Sequence, residues 1–124
     1  MRQLQAMCEL HREAGHRLLL VAQTLESDDD VAQLLRAVGA DEYFLVRLEA
    51  PAATLVERIV EREPASWSGL PGLVEHAQQL ATTMPALRGV DLVVSTEGKR
   101  AEDVAARIRA ACAERLAQAV NPRP

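Results

Sequence analysis

The chain has 124 residues, 48% of them apolar and 26% charged, with a formal net charge of -4. That length holds one domain or one piece of a larger one, and the balance excludes a disordered chain and gives no general electrostatic reason to bind nucleic acid or an anionic membrane. Aromatics make up 2%, one each of Tyr43, Phe44 and Trp67, so the core must come from Leu, Val, Ala and Ile, and no stacking platform for single-stranded nucleic acid is available.

In chain order, residues 1–14 carry Leu4, Met7, Cys8 and His11 at helical spacing, with Gly15 placed to end the helix. Residues 17–22 read as a buried strand, because Leu18 to Ala22 is continuously apolar and too short for a helix. After a polar turn, Ser27 or Asp28 caps a second helix, with Asp28, Asp29 and Asp30 in the first turn, where the helix dipole favours them. Its apolar face is Val31, Leu34, Leu35 and Val38, and Gly39 ends it. A second strand is expected over 43–48, then a helix over 51–62 that opens on Pro51 and buries Leu55, Val56, Ile59 and Val60. Glu63-Pro64 breaks it, and the Ser, Gly and Pro residues of 63–72 read as a loose, lid-like loop. A helix over 73–84, a third strand over 90–95, a turn at 96–99 and a last helix over 101–120 follow. That last helix presents Val104, Ile108, Ala111 and Cys112, and 121–124 is a tail.

Strands alternating with helices, two of the three strands almost wholly apolar, argue an α/β fold: a three-layer sandwich around a parallel sheet. The whole chain is expected to be a single α/β domain or the C-terminal part of one.

The sharpest constellation is the strand ending Leu48-Glu49-Ala50-Pro51, followed by Leu55, Arg58, Arg62 and Glu63. Arg58 and Arg62 are four apart, hence on one helical face at the base of a loose segment. Arginines so placed can close over a polyphosphate and neutralise the charge that builds in phosphoryl transfer. The plainer alternative is a solvated helix on which they pair with Glu57, Glu61 or Glu63.

Together with Asp91-Leu92-Val93-Val94-Ser95-Thr96-Glu97-Gly98 and a closing helix, this pattern resembles the C-terminal half of the small P-loop kinases, such as the gluconate, shikimate, adenylylsulfate and nucleotide kinases. The resemblance implies a P-loop NTPase-like sheet, ATP and Mg2+ as cofactors, and a nucleotide or small-molecule phosphoryl acceptor. It assigns Arg58 and Arg62 to the lid, reaching the nucleotide phosphates, and lays Thr96, Glu97, Gly98 and Lys99 against the adenine. A Walker A sequence, G-x-x-x-x-G-K-[ST], is absent. The one Gly-Lys pair, Gly98-Lys99, continues into Arg100 where Ser or Thr must hold magnesium. Gln23-Thr24-Leu25-Glu26 also replaces the Asp that often ends the corresponding strand of that family.

Such sheets have strand order 2-3-1-4-5, and these strands match the third, fourth and fifth, so the incomplete sheet lacks its central strand. The chain alone is therefore expected to be inactive: part of a longer protein in which Met1 is internal, or a non-catalytic α/β module that dimerises or pairs with a partner through open strand edges. A second likeness, of Gly39-Ala40-Asp41-Glu42-Tyr43 and Pro51 to the end of a receiver domain, lacks the Lys-Pro pair. His11, His16 and His76 have no metal-ligand spacing, so no metal site is expected. Cys8 and Cys112 read as small apolar residues in a reduced, cytoplasmic compartment. Trp67 either stacks on a base or packs its loop down.

Overall fold

A computed structural model of the chain describes residues 1–120, the last three by backbone only; the tail expected at 121–124 lies outside the described residues. Among the described residues the fold is mixed α/β, with five α-helices and a two-stranded parallel sheet. The chain divides into two units, Met1–Tyr43 and a second from Phe44 onward.

The first unit is a helix pair, α1 (Arg2–Glu13) packed on α2 (Asp28–Val38). Cys8, Val31 and Leu34 are its buried residues. Of the expected α1 stripe, only Leu4 and Cys8 turn inward; Met7 and His11 are exposed. Ser27 starts α2 through a capping box: its hydroxyl accepts from the Asp30 amide, and the Asp30 carboxylate accepts from the Ser27 amide at 3.1 Å. The Asp28–Asp30 run is thus the opening of a helix. At the other end Gly39 takes φ 61°, and its amide donates to Leu35. Arg12 of α1 donates from Nη2 to the carbonyls of Val38 and Gly39, at 2.7 and 3.2 Å, so it fills acceptors that a helix end leaves open. A Cβ on residue 39 would come within 3.2 Å of the Arg12 guanidinium, a tight contact added to the positive φ that already favours glycine there.

The strand expected at 17–22 does not form. The segment carries no strand, Leu18 and Leu20 are 89% and 90% exposed, and residues 17–25 make no backbone hydrogen bond among the described residues. The reason is physical: an apolar run gives a strand its faces, but only a ladder gives it a conformation, and among the described residues this segment joins none. The parallel sheet therefore has two strands where three were expected.

In the second unit β1 (Val46–Glu49) and β2 (Leu92–Ser95) run parallel, with Val46 opposite Leu92 and Glu49 opposite Ser95. Between them come α3 (Ala52–Arg62), α4 (Leu70–Thr83) and a 3-10 turn at Met84–Ala86; α5 (Ala101–Val120) follows. The α3 and α4 helices pack together, and α5 packs on β2, where Val94 and Val104 are buried. Pro51 is the N-cap of α3, so the helix begins at Ala52, one residue after the expected start.

The α4 helix begins three residues earlier than its apolar spacing suggested, with Pro71 in its first turn, so the loose segment is 63–69. Trp67 explains the early start. Its amide donates to Pro64, and its ring lies over Gly69, where an added Cβ would stand 2.3 Å from the indole. The ring packs its own loop down.

Two outcomes follow from these local contacts. Ser27→Ala should cost about 1 kcal/mol, read by urea unfolding followed by far-UV circular dichroism. Gly69→Ala should displace the ring, shift the emission of the sole tryptophan, and destabilise by about 1–3 kcal/mol. An unchanged emission spectrum would contradict the packing of Trp67 on Gly69.

Candidate functional site

Because β1 and β2 are parallel, their carboxyl ends lie at the same edge of the sheet, the edge at which open α/β sheets bind ligands. Four segments meet there. Thr96, the first residue past β2, donates its amide to the Glu49 carbonyl at 2.8 Å and its hydroxyl to the same oxygen at 3.1 Å. Arg58, on the second turn of α3, donates from Nη1 to the Thr96 hydroxyl at 2.9 Å and from Nη2 to the Thr96 carbonyl at 3.1 Å. One turn earlier on the same helix, the Thr54 hydroxyl donates to the Glu97 carboxylate at 2.7 Å. The amide of Lys99 closes the 96–99 turn on the Thr96 carbonyl, with Gly98 at its tip.

The structure therefore brings Arg58 together with Thr96 and the rest of the 96–99 turn, 38 residues away in the chain. Arg62 goes elsewhere. Its Nε donates to the carboxylate of the adjacent Glu63 at 2.9 Å, and its side chain is 69% exposed. Of the two arginines only Arg62 takes the carboxylate partner of a solvated helix. Both oxygens that Arg58 reaches are neutral, so these contacts orient its guanidinium without cancelling its charge.

Sequence reasoning missed Thr54, Glu49 and Asp91. Thr54 and Glu49 carry the carboxyl edge. Asp91 closes the opposite edge: its Oδ2 accepts from the Leu45 amide at 2.8 Å and its Oδ1 from Arg115 Nη1 of α5 at 2.9 Å. Thr54 had one available signal, a hydroxyl in the first turn after a strand-Pro junction. Asp91 had a comparable one, a carboxylate immediately before an apolar strand.

An open recess of about 320 Å³ lies in the first unit, lined by Gln23, Thr24, Glu26 and Asp30 among others. Its carboxylates disfavour a phosphate, and Asp30 is already committed to the α2 cap. Among the described residues no group of three or more His, Cys, Asp or Glu is placed to hold a metal, and no helix is long and apolar enough to cross a membrane. Comparison with protein-family models, curated proteins and solved structures found no match.

The Arg58–Thr96 contact makes a double-mutant cycle informative. Arg58→Ala and Thr96→Val should each cost about 1 kcal/mol of stability, and the double variant should cost clearly less than their sum. Additive losses in urea unfolding would show that the two side chains do not act on each other.

Proposed function

We propose that the chain is the C-terminal part of an ATP-dependent small-molecule or nucleotide kinase-like P-loop protein, a cytoplasmic phosphotransferase whose sandwich is completed by other strands. One observation carries the reading: a charged guanidinium, Arg58, is held on neutral oxygens at the carboxyl edge of a parallel strand pair, against the turn that follows the second strand.

In this reading Arg58 and Arg62 are the phosphate clamps at the base of the 63–69 segment. Each neutralises oxygen charge that develops as a phosphoryl group is transferred. Arg62 exchanges the Glu63 carboxylate for a phosphate oxygen, and that exchange is cheap, because an exposed ion pair is worth about 0–1 kcal/mol. Arg58 is already oriented and loses less freedom on binding. Thr96, Glu97, Gly98 and Lys99 line the base.

ATP itself needs more than these residues supply. The cradle of backbone N–H groups, the P-loop lysine and the hydroxyl that holds Mg2+ have no counterpart in the 124 residues. In this reading the phosphoryl acceptor is addressed by residues outside this chain.

The reading has two tests. Calorimetric titration of the chain with ATP and magnesium should show no binding tighter than millimolar; micromolar binding would mean a nucleotide site of another kind. The reading frame upstream of the Met1 codon should encode a glycine-rich P-loop. With that segment present the protein should bind ATP, and Arg58→Ala should weaken binding at least tenfold. An in-frame stop immediately upstream of Met1 would overturn the kinase reading.

A further inference from the structure

The two-stranded sheet leaves β1 with one open edge, and that edge is complementary to itself. The Leu45 carbonyl accepts from the amides of Asp91 and Leu92, and the Glu49 carbonyl from the amide of Thr96, just past β2. Backbone groups of alternate residues point to opposite sides of a strand, so residues 45, 47 and 49 face β2 while Val46 and Leu48 direct their N–H and C=O to the open side. Leu48 is 52% exposed. On the opposite face of the strand, Arg47 Nη2 meets the Glu49 carboxylate at 3.2 Å, while Arg47 Nε is buried with no hydrogen-bond partner.

We propose that β1 pairs antiparallel with β1 of a second copy of this chain, about a two-fold axis at Leu48. Backbone geometry allows only registers in which outward-facing residues meet. With Leu48 opposite Leu48 of the other copy, Arg47 of each copy stands opposite Glu49 of the other, on the same face. Two opposite-charge cross-strand pairs result from one symmetry axis, the self-complementarity that an isologous interface requires. A shift of one residue to either side sets Arg47 against Arg47 or Glu49 against Glu49, which is repulsive. Charge therefore selects the register.

In the selected register Leu48 donates to and accepts from its counterpart, and Val46 exchanges hydrogen bonds with Ala50. Pro51, with no N–H, ends the ladder just before α3. The Leu48 side chains meet on one face. On the other, a second carboxylate arrives beside the guanidinium whose Nε lacks an acceptor. The free edge of β2 offers no such code, because Leu92–Ser95 is uncharged.

So short a seam buries little area, well below the roughly 1,200–2,000 Å² of a stable standard interface, and the dimer is a concentration-dependent one. The inference concerns the 124-residue chain by itself: in a longer protein, a strand supplied from elsewhere would occupy the same edge and displace the second copy.

Sedimentation equilibrium of the 124-residue chain from 5 to 500 μM (roughly the span that brackets weak self-association) should show monomer and dimer in exchange. Arg47→Glu and Glu49→Arg should each weaken the dimer about tenfold or more, and R47E/E49R together should restore it. Far-UV circular dichroism reports whether each single variant stays folded. Should either unfold, the comparison of the natural chain with the double swap still decides. Independently, Leu48→Cys in a Cys8→Ala, Cys112→Ser background should form an intermolecular disulfide on mild oxidation, because that register places Leu48 opposite itself. A chain monomeric at 500 μM, a double swap no better than the single variants, or no cross-link at residue 48 would each overturn the proposal.

Discussion

The second unit depends on a parallel ladder only four residues long, and side chains close that ladder at both ends. At the start of the strands Asp91 takes the Leu45 amide on one oxygen and Arg115 of α5 on the other, so a single carboxylate joins β1, β2 and α5. At the finish Thr96 takes the Glu49 carbonyl and is gripped by Arg58 of α3. A short parallel pair with no third strand has little intrinsic stability. These polar closures recruit the two flanking helices to it. They also decide that the carboxyl edge is preorganised, since α3 cannot swing away from the 96–99 turn without breaking three hydrogen bonds.

Much of this was legible in the sequence where apolar period and end signals agree. The α2 helix has its cap, its stripe and its terminal glycine in register, and the structure matches residue by residue. The β2 strand and α5 follow from an apolar run and a long helical pattern. Arg58 and the 96–99 turn both stand out in the sequence, and the structure brings them together because a strand-to-helix junction fixes where the second turn of α3 must lie. What was not legible depends on partners distant in the chain. Residues 17–22 have all the composition of a strand and no ladder. The divergence of Arg58 and Arg62, equivalent by spacing, comes from which acceptors the tertiary fold brings near: a threonine across the sheet edge for one, the adjacent glutamate for the other. Trp67 shortened the loose segment through a contact with Gly69 that no periodicity encodes.

The core is thin for a chain of this length. In the second unit Val94 and Val104 are buried, while Leu48, Val60, Val93 and Leu116 remain largely exposed. Apolar side chains on a sheet and its neighbouring helices at that level of exposure are surface in search of cover, since burial of such groups is what stabilises a domain of this class.

The polar closures and the uncovered apolar surface lead to the same physical point from opposite directions. The carboxyl edge of the sheet is saturated with hydrogen bonds, whereas the lateral edge of β1 is not, and the two are perpendicular to each other in the same four residues. Glu49 belongs to both: its carbonyl is spent on Thr96, and its carboxylate on Arg47. A strand added beside β1 therefore meets Glu49 through its side chain without disturbing the Thr96–Arg58 network. Pairing along the lateral edge and hydrogen bonding at the carboxyl edge use different groups of the same residue, so a strand added at the first leaves the second intact.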